Sequence, residues 1–192
     1  IAWDMKLKLL LPILFVVYSC SQDASIDRND LIEKAGAPLL NGLGSHSFTI
    51  SSKVEGVQEY FNQGLIMAFA FNHAESIRSF KAAQKLDPNC AICFWGEALA
   101  LGPNINVTSD GKAIMSPQDR LDAFERTNKA IALIEFASPK EKDFILTLKS
   151  RYNGDVNSSR VPLDIAYAEA MEALSSKSVS YTHLTLPTNG EV

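Results

Sequence analysis

Residues Tyr60 to Pro88 read YFNQGLIMAFAFNHAESIRSFKAAQKLDP, and the order of residue types along this stretch decides the fold. Aromatic Tyr60 is followed four residues on by Gly64, then by Met67, Ser76, Phe80, Ala83 and Pro88. A glycine inside a helix costs about 1 kcal/mol relative to alanine, so Gly64 fits a place where a second helix comes too close for a Cβ. Small Ser76 and Ala83 permit the same approach. In the second half Ala74, Ile77, Phe80, Ala83 and Leu86 recur at three- or four-residue intervals and predict one apolar stripe, with Glu75, Arg78, Lys81 and Lys85 off it. Pro88 disfavours helical geometry in the residue before it, and Asn89 stands where it can cap the next helix. The pattern predicts a pair of helices, Lys53 to Ala70 and Ala74 to Leu86.

That order of residues resembles one tetratricopeptide repeat (TPR) at nearly every position, with Gln63 departing where leucine is usual. The resemblance implies an all-α fold, a TPR-like α-α superhelix. Such scaffolds present binding surfaces and contain no built-in chemistry. Counting the repeat onward puts Phe94 in the first aromatic position and Ala98 where Gly64 stood, so Ala91 to Leu101 is the next first helix. The period then breaks at Gly102-Pro103-Asn104-Ile105-Asn106 and Ser109-Asp110-Gly111, which predict a loop of about a dozen residues. Ser116-Pro117 restarts a helix to about Phe136. Ser138-Pro139-Lys140-Glu141 repeats the signal with a capping box and opens a helix to Arg151, stopped by Asn153-Gly154. A last helix, Pro162 to Leu174, makes about three helical hairpins, the minimum for a self-supporting stack.

Beyond the generic repeat, Phe71 to Glu75, Cys90 to Ala98, Gly102 to Asn106, Arg151-Tyr152 and Leu163 to Met171 are similar to one uncharacterised family of exported bacterial TPR proteins. The likeness covers roughly His46 to Lys177 and carries no established reaction. Members continue downstream with further His-containing segments, so the chain is expected to be an N-terminal fragment of a longer protein.

Both ends are set apart from the helical domain. Met5, basic Lys6 and Lys8, and apolar Leu9 to Tyr18 form a secretory signal, preceded by upstream residues 1–4. Its ending, Val17-Tyr18-Ser19-Cys20, resembles the lipobox of bacterial lipoproteins, which implies lipid on Cys20 and a place in the bacterial cell envelope. Ser21, not aspartate, follows the cysteine, which by the same resemblance leans towards the outer membrane, facing the periplasm. The expected domains are 1–20 (upstream residues and signal), 21–45 (flexible tether with a short amphipathic piece, Asp30 to Ala35), 46–177 (TPR-like helical domain) and 178–192. This last segment, SVSYTHLTLPTNGEV, resembles a translated sequencing adapter, and its His183 carries no hypothesis.

Composition argues against a polyanionic partner. Net charge is −4 and no cluster of lysines and arginines marks a nucleic-acid footprint. Cys90 and Cys93 are the two thiols left once Cys20 is lipidated, and in an exported protein a disulfide between them is the economical reading. A redox role stays open, because a thiol in the first turn of a helix has a lowered pKa, although no βαβ pattern surrounds the pair. Two cysteines fall short of a tetrahedral zinc site, and no metal or cofactor is expected. His73 takes the place of a tyrosine at the start of a second helix, which favours packing over ligation. Asn104 and Asn106 are candidate loop contacts, weighed against simple turn formation. Phe61, Leu65, Phe69, Trp95 and Leu99 are expected to line a concave, apolar groove. The lysines and asparagines that clamp a peptide carboxylate in chaperone-binding TPR proteins are missing there. The groove would take an apolar peptide, a protein partner or the chain's own downstream half. The leading expectation is a lipid-anchored binding scaffold. The alternative is a redox- or metal-dependent enzyme using Cys90 and Cys93, or His73, with downstream residues.

Overall fold

Phe80 sits between two glycines, and that arrangement organises the centre of the molecule. The computed structural model describes residues 27–109 and 112–177, except for the side chains of 104–109 and 112–114. Helix α2 (Val57–Phe69) packs on α3 (His73–Leu86), and α4 (Ala91–Ala100) packs on α3 as well and touches α2. The Phe80 ring, fully buried, would lie 2.8 Å from a Cβ at Gly64 on α2 and 2.3 Å from one at Gly96 on α4. A side chain at either glycine would push the helices apart. The glycine that meets Phe80 from α4 is therefore Gly96, two residues before Ala98, the position that counting the pattern predicts.

The rest of the stack follows the start signals. Helix α5 (Pro117–Ala132) packs on α4, and α6 (Pro139–Leu148) and α7 (Arg160–Lys177) form the last pair. Single 3₁₀ turns, Ile134–Phe136 and Lys149–Arg151, prolong α5 and α6. The Ser116 hydroxyl accepts from Asp119 N at 3.0 Å, and Ser138 with Glu141 forms a capping box. Proline opens both helices. Helix α2 starts at Val57, later than the expected Lys53. Gly56 before it holds the left-handed φ of +82°, and a Cβ there would meet Leu31 at 2.3 Å.

The buried face of α3 is rotated from the expected stripe. Ser76, Ser79, Phe80, Ala82 and Ala83 are buried and Ala74 is exposed. Two serines enter the core because their hydroxyls are satisfied: Ser76 donates to Gly64 O at 2.7 Å and Ser79 to Glu75 O at 2.8 Å. Gln63, the one departure from the repeat, is buried for the same reason. Its amide donates to Ser79 Oγ at 2.9 Å and Pro38 O at 3.0 Å, and accepts from Leu40 N at 2.7 Å.

Those last two bonds correct the expected tether. Residues 28–41 do not hang free. Helix α1 (Arg28–Ala35) buries Leu31 and Ala35, and Tyr60 Oη donates to Ala37 O at 2.6 Å. The expected loop after α4 also has regular structure, a two-stranded antiparallel ladder of β1 (Asn104–Ser109) and β2 (Lys112–Ile114) with an irregularity between Asn104 and Thr108. Its β-branched residues and the intervening Asp-Gly pair are hairpin signals that outweighed Pro103 and the asparagines. Among the described residues no helix is long and apolar enough to cross a membrane. The segment expected to be a signal, Cys20 and the tail 178–192 lie outside the described residues.

Candidate functional site

The aromatic positions expected to line a groove are core. Phe61, Leu65, Trp95 and Leu99 are buried, and only Phe69 is partly accessible. The chain's own segments cover them. Phe48, from the lead-in before α2, packs on Phe61 with centroids 5.8 Å apart and edge-on against Phe144 of α6 at 5.7 Å. Trp95 meets the same Phe144 ring at 5.7 Å, and His46 stands edge-on to Phe69 at 6.0 Å. The lead-in and α6 thus occupy the face where an open groove was expected, and Phe69 alone of the five stays partly accessible.

The amino end of α4 holds the cysteines. Cys90 and Cys93 are joined by a disulfide with an S–S distance of 2.00 Å. Cys93 is fully enclosed, while Cys90 borders a cavity of about 240 Å³ whose walls include Ser51, Ser52, Asp87, Asn89 and Glu141. The carboxylates there are occupied. Glu141 accepts from Ser51 N at 2.8 Å, from the Ser51 hydroxyl and from Ser138 N at 2.6 Å. Asp87 accepts from Ser52 Oγ at 2.5 Å and Asn89 N at 3.0 Å.

The carboxyl end of α4 gathers a different set. Tyr152 Oη donates to Ala98 O at 2.7 Å, and His73 Nδ1 lies 3.1 Å from Ala100 O. A Cβ at Gly102 would lie 2.6 Å from Arg151 Nη1 and 2.7 Å from Tyr152 Oη, so glycine admits both side chains. The Arg151 guanidinium lies 4.8 Å from the Tyr167 ring centroid and 5.9 Å from that of Tyr152, and Arg160 lies 5.5 Å from Tyr152. Arg160 donates to Arg151 O at 2.9 Å and pairs with Asp164.

Charge and burial shape this cluster. Burial pushes the Tyr167 hydroxyl up to about 12, with Arg151 pulling the other way, and raises Tyr152 against the pull of both arginines. Burial presses Arg151 down, yet Tyr152, Tyr167 and Asp164 together leave it above the ordinary arginine value. Among the described residues Arg151 has no ion pair. Arg151 Nε, Arg160 Nε, the Tyr167 hydroxyl and His73 Nε2 are enclosed without a hydrogen-bond partner.

No protein-family model matches the chain, and no curated protein or solved structure is significantly similar to it. The site therefore rests on its own geometry. His73 and the cysteines fall at opposite ends of a ten-residue helix, roughly 15 Å apart by its rise, so they do not share one centre. Among the described residues no group of three or more His, Cys, Asp and Glu is placed to hold a metal. Asn104 and Asn106 lie on β1, where side chains are outside the described residues. Arg151, Tyr152, Arg160 and Tyr167 were not singled out as site residues by composition or spacing. For Arg151, Tyr152 and Tyr167 the one signal was membership in the segments 151–152 and 163–171, which meet at the end of α4; Arg160 lies in neither.

Proposed function

We propose that the protein is a lipid-anchored scaffold of the bacterial cell envelope, a TPR-like superhelix that binds a protein or peptide partner. The observation that carries this reading is the packing of successive helical pairs around small residues, with Phe80 seated over Gly64 and Gly96. Stacks of this kind expose the outer face of their last pair unless something covers it. Here, among the described residues, the three most exposed large apolar side chains are Val161, Ile165 and Leu146, at 52 to 55% exposure, all on α6 and α7. With the inner aromatic positions occupied by the chain itself, this outer face replaces the groove as the surface for a partner.

Site-specific photo-crosslinking in the producing bacterium tests the reading. A crosslinker at Ile165 or Leu146 is expected to give a discrete protein adduct, whereas one at Arg78, on the exposed face of α3, gives none. Adducts at neither outer-face position would overturn partner binding there. The anchor is tested in the same strain: fatty-acid label should mark the wild type and be absent from Cys20→Ala, and label retained by the variant removes the lipoprotein assignment.

A further inference from the structure

We propose that the carboxyl end of α4 is an oxyanion site, taking a compact phosphate-class group at the Arg151 Nε and the Tyr167 hydroxyl, with Arg160 adding charge from across the Tyr152 ring. This site uses the buried side of α7, not the exposed side proposed for a partner, and does not depend on that reading. Three unpartnered groups here are donors: Arg151 Nε, Arg160 Nε and the Tyr167 hydroxyl. Enclosed donors are ordinarily satisfied, because leaving one unmade costs about 1 to 3 kcal/mol, and three in one cluster point to an acceptor that binds there. The Tyr167 side chain is nine-tenths buried, at 9% exposure, and its ring stacks under the Arg151 guanidinium at 4.8 Å.

Charge gives the sign of the ligand. Two guanidiniums share one carboxylate, Asp164, and that carboxylate is paired with Arg160. The carboxyl end of α4 contributes only about half an elementary charge of compensation. A water molecule offers two acceptor positions and no charge, whereas three donors and the surplus positive charge match an oxyanion with three or more oxygens. Guanidinium forks favour phosphate geometry, and the phenol adds a neutral donor whose hydroxyl stays protonated far above neutral pH. Gly102 completes the argument, since any side chain there would displace Nη1 of Arg151 and the hydroxyl of Tyr152.

Equilibrium dialysis of the chain against labelled inorganic phosphate, with chloride and acetate at equal ionic strength as comparisons, decides the proposal. Saturable binding of one phosphate per chain is expected, accompanied by a rise in unfolding temperature that acetate does not reproduce. Tyr167→Phe removes an unpartnered hydroxyl, so the variant should fold at least as well as the wild type while binding phosphate at least tenfold more weakly. Arg151→Lys keeps the charge but loses the fork and should weaken binding to a similar degree; if it does not fold, Tyr167→Phe alone decides. Unchanged phosphate affinity in Tyr167→Phe would overturn the site. So would the absence of saturable binding, or acetate acting as well as phosphate.

Discussion

The two ends of α4 face the same physical problem, a buried charge beside a helix terminus, and solve it in opposite ways. At the amino end the charge is the Glu141 carboxylate, 1% exposed, and each of its oxygens is claimed by donors from residues 51 and 138. At the carboxyl end the charge is Arg151, neighboured by aromatic rings and with its Nε enclosed and unpaired. A satisfied carboxylate locks the lead-in to the start of α6. The Arg151 guanidinium leans on Tyr152 and Tyr167 but leaves its Nε as a donor without a partner. The first end reads as structure and the second as site, although the sequence draws attention to the first through its cysteines.

Glu141→Ala should produce the largest break in this contrast. It strips the acceptor from the Ser51 amide and hydroxyl, while the Ser138 amide keeps Ser51 Oγ as a second acceptor. At about 1 to 3 kcal/mol for each orphaned donor, the loss should reach about 3 kcal/mol or more. The matching change at the other end, Asp164→Asn, removes a carboxylate that is 45% exposed in a pair screened by solvent, and should cost under about 1 kcal/mol. Urea unfolding midpoints measure both. Equal losses would mean that the two ends are equally structural.

A second, smaller effect sharpens the contrast through pH. Folding raises the Tyr167 hydroxyl from 10.0 to about 12. A group whose folded value is raised stabilises the protein fully below its unfolded value and loses that contribution as pH climbs through the folded one. The stability at stake, about 2 to 3 kcal/mol for a shift of about two units, should therefore be present at pH 9 and disappear between about pH 10 and 12. Tyr167→Phe should flatten the fall over this window while Tyr152 keeps part of it, because Tyr152 is raised as well. An identical alkaline profile in the variant would show that Tyr167 is not held neutral by burial.

How much of this was legible in the sequence divides along the same line. Helix existence and order followed from the apolar period, from Ser116-Pro117 and Ser138-Pro139-Lys140-Glu141, and from Gly64, since each is a local signal with a local cause. The long-range pairings were not legible. Gln63 looked like a flaw in the repeat until its amide met residues 38 and 40, and Phe48 looked like a short extended lead-in until it stacked between Phe61 and Phe144. The expected groove failed for that reason: periodicity says which face of a helix is apolar but not what covers it. Arg151 and Tyr167 are sixteen residues apart across a turn and a helix start, and nothing in the spacing says that they stack.

The smallest expected effect concerns the disulfide, and it decides which end of α4 carries chemistry. A bridge three residues apart closes a very short loop, so the chain-entropy account allows about 2 kcal/mol at most. Reduction should lower the unfolding midpoint slightly and leave the fold intact. The redox reading requires more, namely a Cys90 thiolate stabilised at the helix amino end and alkylated by iodoacetamide near pH 6. Cys90 caps α4, which favours that reading, but Asp87 and Glu141 line the same cavity, and their negative charge opposes a thiolate there. The carboxylates are full charges whereas the helix terminus offers about half of one, so the thiols of the reduced chain should titrate at or above about 8.5. Alkylation rate against pH, followed by mass spectrometry at each cysteine, gives the answer. A midpoint near 6 at Cys90 would make the amino end a thiol-exchange centre and undo the division drawn between the two ends, while a midpoint at or above the free-thiol value leaves the bridge as a staple.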